Sequence, residues 1–199
     1  MANISQKWLD SAYVLVPFTS DYHLRLHATE IARLLHLPQR TVARNLECLS
    51  KQHLIISKME GRNRSFFIDL ENPLAESIFT LIETYKEITF SLMFSSLAEI
   101  IHELSQHNPV FLFGSYAAWR AKEDSDVDIV IIGKKSKKIQ EIIQKSPFTI
   151  HPHIVSYDLF IKRLHSGWPL ALEIARNHIL FGEKEKVIKA LITYWKKGR

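Results

Sequence analysis

Two apolar runs, Val110–Phe113 and Val127–Ile132, bracket a polar segment, and the residues at their ends constrain the fold more than any other feature of the chain. The first run stops at Gly114-Ser115. The second, after ten intervening residues, is opened by Asp126-Val127-Asp128. Each run has the length and bulk of a buried strand. Alternate residues of a strand point the same way, so Asp126 and Asp128 are expected on one side with Val127 turned to the core. Two carboxylates held that close repel unless a cation lies between them, which points to Mg²⁺ or Mn²⁺. Gly114 leaves room for a phosphate to approach the backbone, and Ser115 offers a hydroxyl at the start of a short helix. A hard metal on one side and helix-start donors on the other would grip a nucleoside triphosphate. Arg120 and Lys122 are further candidates to meet its oxygens. The plainer reading is an exposed helix face for those two, and a solvated acidic turn for Glu123, Asp124, Asp126 and Asp128.

Gly-Ser, a ten-residue gap and then Asp-x-Asp on a strand resembles the signature of the polymerase-β-like nucleotidyltransferases, and the short domain that follows is similar to the minimal members of that group. The resemblance covers about half the chain. It implies a mixed sheet, Mg²⁺ (or Mn²⁺) held by Asp126 and Asp128, and a nucleoside triphosphate held by Gly114 and Ser115. It also implies a third carboxylate on the next strand, 148–155, but that run contains no Asp or Glu. His153 takes the expected position, with His151 on the same face, so His153 is the third candidate catalytic residue. Trp119 stands where such sequences tend to carry glycine. It either closes part of the nucleotide entrance or stacks on a base. The rest of this block reads as a helix over 137–144 and helices to the end, with helical apolar spacing over 170–181 and 187–195 and a turn at Gly182. The alternation of strands and helices reads as an α/β domain.

The N-terminal block has a different character. Residues 28–35 make a short amphipathic helix, His36-Leu37-Pro38 a tight turn, and a second helix starts near Gln39 with Val42, Leu46 and Leu49 as its buried stripe. The solvent face of its first turns is expected to carry Gln39, Arg40, Thr41, Arg44 and Asn45, side chains suited to phosphates and base edges. Two β-prone runs then flank Glu60-Gly61-Arg62-Asn63 as a hairpin, with Lys58, Arg62 and Arg64 at or near its tip. Between Pro38 and Arg64 the basic residues are Arg40, Arg44, Lys51, Lys58, Arg62 and Arg64, against only Glu47 and Glu60. This arrangement resembles the winged helix-turn-helix of transcription regulators, with the Gly61-Arg62 hairpin as the wing, and implies double-stranded DNA as partner. His36 and His53 lie where such sequences commonly carry glycine. The alternative is a winged helix that binds protein. His23 and His27 read as surface or turn residues.

Between the blocks, apolar residues recur at helical spacing from Leu74 to Leu104, with Pro73 in the first turn and Asn108-Pro109 as the stop. This stretch is either core or a helix on which two chains meet as a homodimer. The expected organisation is therefore α+β: a winged-helix DNA-binding domain over 1–71, a helical linker over 72–108, and a nucleotidyltransferase-fold domain with a mixed sheet over 109–199.

Composition narrows the function classes. A formal net charge of +5 leans towards a polyanionic partner. The single cysteine, Cys48, excludes an intramolecular disulfide. Met1–Ser5 lacks the pattern of a signal peptide and no apolar run is long enough to span a bilayer, so a cytoplasmic protein without a membrane partner is expected. The leading expectation is a DNA-binding protein that binds Mg-NTP and transfers a nucleotidyl group to a hydroxyl acceptor. The resemblance implies as one such acceptor a partner protein, such as the toxin of a toxin–antitoxin pair. Two alternatives remain: a regulator whose transferase fold is an inactive ligand sensor or dimer scaffold, and a nucleic-acid-modifying enzyme.

Overall fold

The computed structural model describes residues 11–197, so Met1–Ser5 and the start of the domain expected over 1–71 lie outside the described residues. Contacts divide the chain into two compact units, with the division between Ile82 and Glu83.

In the first unit a 3-10 helix, Ala12–Thr19, leads to the short strand β1 (Leu26–His27), helix α1 (Ala28–Leu34) and helix α2 (Gln39–Lys51). Strands β2 (Ile56–Glu60) and β3 (Asn63–Phe67) form the hairpin, and β1 adds to it in the order β1-β3-β2, all antiparallel. Gly61 has φ +63°, which suits the first position of a two-residue turn between the paired Glu60 and Asn63. The core gathers Leu15, Phe18, Ile31, Val42, Leu46, Leu49 and Phe66, all buried, and Tyr22 stacks on Phe79 with ring centroids 3.7 Å apart. The stripe expected on α2 is therefore the buried one. His27 does more than a surface residue: its amide donates to Glu30 Oε2 (2.7 Å), and its Nδ1 lies 3.0 Å from the Arg64 carbonyl.

The chain passes from one unit to the other within helix α3 (Ala75–Met93), and helix α4 (Ser95–Ser105) follows. Pro73 lies two residues ahead of α3 rather than inside its first turn. The second unit continues with β4 (Val110–Phe113), the one-turn helix α5 (Gly114–Ala117), β5 (Val127–Ile132), α6 (Lys137–Lys145), β6 (Ile150–Val155), α7 (Tyr157–His165), α8 (Pro169–Arg176), β7 (Ile179–Phe181) and α9 (Glu185–Lys197). Its sheet runs β6-β5-β4-β7 and is mixed, with β5 and β6 parallel and β4 antiparallel to both β5 and β7. One face of the sheet packs against Leu97, Ile101 and Leu104 of α4 and Ile139 of α6.

Residues 170–181 are not one helix. The helix stops at Arg176, Asn177 is extended, and Ile179–Phe181 becomes a buried strand on β4. A three-residue apolar run has no periodicity of its own, so only its tertiary partner makes it a strand. At the opposite edge, Val127 N donates to Thr149 O and Gly133 N to Val155 O. Odd-numbered residues of β6 therefore turn their backbone groups to β5, and Pro152 falls on the free edge, where its missing N–H blunts strand addition.

A buried ionic cluster ties α3 to β7. Glu83 Oε1 accepts from Lys86 Nζ (2.7 Å), its Oε2 accepts from Leu180 N (3.4 Å), and His178 Nε2 lies 3.4 Å from Oε1. Burial pushes the Glu83 carboxyl up, but Lys86 and His178 outweigh it and hold the group at about 2, below its ordinary 4.5. One turn on, Glu87 pairs with Lys184 and lies 3.5 Å from His102 Nδ1.

Candidate active site

β4 and β5 are antiparallel, which brings the end of one beside the start of the other: Phe113 pairs with Asp128. Gly114, the next residue, has φ +69°, and a Cβ built on it would lie 2.6 Å from Asp128 Oδ2. The space that glycine leaves therefore holds the Asp128 carboxylate itself. Asp128 pairs across the parallel ladder with His151, so the two side chains share a face. His151 Nε2 reaches to 3.4 Å from Asp126 Oδ2, which brings Asp126 to that face too. Asp126 stands one residue before β5 and is exposed, while Asp128 is half-buried.

The histidine beside the carboxylates is thus His151, not His153. His153 pairs with Val130, one pleat further along the strand, where its ring lies 6.4 Å from that of Phe113. The sequence shows both histidines on one face but not which is level with Asp128; the parallel register decides that.

Ser115 sits half-buried at the start of α5. Arg120 and Lys122 are exposed, and among the described residues neither side chain forms an ion pair. Their backbones are fixed: Arg120 N donates to Ser115 O (2.9 Å) and Lys122 N to Ser125 Oγ (2.7 Å). Trp119, between α5 and this turn, has φ +56° and is 41% exposed.

Among the described residues no group of three His, Cys, Asp or Glu is set to hold a metal by itself. The donor set still fits Mg²⁺ or Mn²⁺. Hard carboxylate oxygens are the right chemistry, and such ions are commonly held by one or two carboxylates with water and substrate phosphates supplying the rest.

In the first unit, Gln39, Arg40, Arg44, Lys58, Arg62 and Arg64 are exposed and Thr41 is half-buried. Arg64 Nη1 lies 3.7 Å from Glu47 Oε1, which links hairpin and helix. Asn45 departs from expectation: it is buried, and its Nδ2 donates to Tyr13 OH (2.9 Å). Position 45 lies three residues from both Val42 and Cys48 and adjoins the stripe, so the Ala12–Thr19 helix covers it.

A family model described as polymerase beta, nucleotidyltransferase matches residues 96–186, just under half the chain. The C-terminal half therefore carries a domain of the nucleotidyltransferase class, reaching from α4 to the start of α9. Neither the curated proteins nor the solved structures gave a match to the chain. Among the described residues no helix is long and apolar enough to cross a membrane.

Proposed function

We propose that this chain is a DNA-binding protein with a working nucleotidyltransferase domain, which binds a nucleoside triphosphate with Mg²⁺ or Mn²⁺ and transfers a nucleotidyl group to a hydroxyl acceptor. The observation that carries the transferase half is the fit of Asp128 into the space left by Gly114, with Asp126 held on the same face through His151. Asp126 and Asp128 would hold the metal, which when bound supplies neutralisation of charge on the triphosphate. Gly114 and Ser115 lie at the end of β4 beside Asp128, suited to the phosphates, and the unpaired Arg120 and Lys122 are free to meet outer oxygens. The acceptor oxygen would bond the α-phosphorus as the bond to pyrophosphate breaks, the acceptor proton passing to solvent. A partner protein offering a serine, threonine or tyrosine, such as a toxin, is one such acceptor.

The DNA half rests on the exposed Arg40 and Arg44 of α2 and on Lys58, Arg62 and Arg64 of the hairpin, in a helix-turn-helix with a wing. Support for a homodimer comes from α3, where Tyr85, Ile88 and Leu92 stay exposed, Leu92 at 81%, at spacings of three and four.

The second reading, a regulator whose transferase fold is an inactive sensor, is favoured by one observation, the histidine in place of a third carboxylate at β6. Incorporation from labelled triphosphates separates the two. Transfer by the parent that disappears in Asp126→Ala plus Asp128→Ala supports the enzyme. No transfer from any nucleotide with Mg²⁺ or Mn²⁺, to protein or nucleic-acid acceptors, supports the sensor.

A further inference from the structure

The helix ends of this chain repeat one hydrogen-bond pattern, and one of them breaks its residue rule. After α1, His36 N donates to Arg33 O and Leu37 N to Ala32 O; after α2, His53 N donates to Ser50 O and Leu54 N to Leu49 O. After α5, Trp119 N donates to Tyr116 O (3.1 Å) and Arg120 N to Ser115 O (2.9 Å). After α7, Gly167 and Trp168 do the same to Leu164 and Arg163. The first residue of each pair must be left-handed, and φ is +53°, +57°, +56° and +73° in turn. Glycine meets this demand without strain at Gly167, and histidine is one of the residue types that visit the region. A bulky indole at Trp119 is an outlier there, and a strained residue persists where something other than backbone comfort holds it.

Local packing does not account for it. Trp119 is 41% exposed, and its ring meets that of Phe90, whose centroid is 6.2 Å away at 55°. In the two histidine turns the second residue is a leucine, the apolar contact that normally accompanies this cap, whereas Arg120 takes that place after α5. An exposed tryptophan and an exposed arginine that forms no ion pair among the described residues thus follow one another past the end of a helix whose first residue, Gly114, leaves to Asp128 the space a β-carbon would take. Trp119 follows α5, a single four-residue turn, by two residues, so it stands only five positions along the chain from Gly114, where the phosphates are expected.

We infer that Trp119 is the platform on which the base of the nucleoside triphosphate stacks. The inference rests on the transferase reading above and adds its base-binding residue. The stack is made with the π-face that every base has, so it predicts tolerance of base identity.

The test compares binding of ATP and of inorganic tripolyphosphate, each with Mg²⁺, to the full chain and to Trp119→Gly and Trp119→Phe, by calorimetry, alongside thermal melting. Trp119→Gly is expected to melt higher, to bind ATP about tenfold more weakly, and to bind tripolyphosphate as the parent does. Trp119→Phe is expected to stay within about threefold of the parent for ATP, because a phenyl ring still stacks. Equal ATP affinity in Trp119→Gly and the parent overturns the inference and leaves the transferase reading standing. Equal losses for ATP and tripolyphosphate also overturn it, since they mark a collapsed turn rather than a lost stack. A parent that binds neither ligand overturns both.

Discussion

Asp128 occupies the space a side chain on Gly114 would fill: a β-carbon there would lie 2.6 Å from Oδ2. The glycine is needed twice, for its φ of +69° and for that contact. Gly114→Ala is therefore expected to lose about 1–3 kcal/mol of stability, from left-handed strain and from displacing the carboxylate. It should also weaken Mn²⁺ binding more than stability alone explains. Denaturant unfolding and Mn²⁺ titration of the same variant check both.

His151 lies against Asp126 and is paired with Asp128, and it adds no negative charge of its own when neutral. His151→Asp puts a third carboxylate on that face and should tighten Mg²⁺ binding by about tenfold, since opposite charges a few ångströms apart near a surface are worth on the order of a few kcal/mol before desolvation. His153→Asp, one pleat further on, should change it much less. Calorimetric Mg²⁺ titration of the two variants decides between them.

How much of this was legible in the sequence depends on what each signal measures. The Asp-Val-Asp alternation and the strand it opens were readable because strand periodicity is local. The positions of His36 and His53 were readable as turn sites through the resemblance, and both have positive φ; Trp119, expected within the helix after Gly114-Ser115, lies past its end with positive φ as well. Three features depend on partners far away in sequence and were not readable. His151 rather than His153 is level with Asp128 because of the parallel register. Residues 179–181 are a strand because β4 has a free side. Asn45 is inside because the 3-10 helix covers it and Tyr13 accepts its hydrogen bond. The Glu83–Lys86–His178 cluster is not legible in the sequence either, since its members lie up to 95 residues apart.

That cluster sets an acid limit. Glu83 is held at about 2, below its ordinary 4.5. Its contribution is complete above pH 4.5, and it is lost as pH falls from there towards 2. Glu83→Gln should flatten the fall in stability over that window. At neutral pH it should cost about 3–5 kcal/mol, because it removes one side of a buried ion pair. Urea unfolding at a series of pH values measures both effects.

On DNA, Arg40→Ala and Arg62→Ala should each lower the salt dependence of binding by roughly one unit of slope, as loss of a phosphate contact does. Asn45→Ala should instead lower stability by about 1 kcal/mol, through the lost bond to Tyr13, and leave the slope unchanged. Leu92→Glu, on the exposed face of α3, should turn a dimer into a monomer in light scattering and weaken DNA binding with it. Fluorescence anisotropy across a salt series, run beside light scattering, tests the set; an unchanged slope for Arg40→Ala would remove α2 from the interface.

The most direct measurement of the central claim is Mn²⁺ binding to the full chain, followed by electron paramagnetic resonance of the free ion, with and without a non-hydrolysable nucleoside triphosphate. Two carboxylates alone should bind weakly and the triphosphate should tighten the ion by at least tenfold, an effect absent from Asp126→Ala plus Asp128→Ala. Mn²⁺ binding that is the same in the parent and the double variant, with the triphosphate present, would contradict the account.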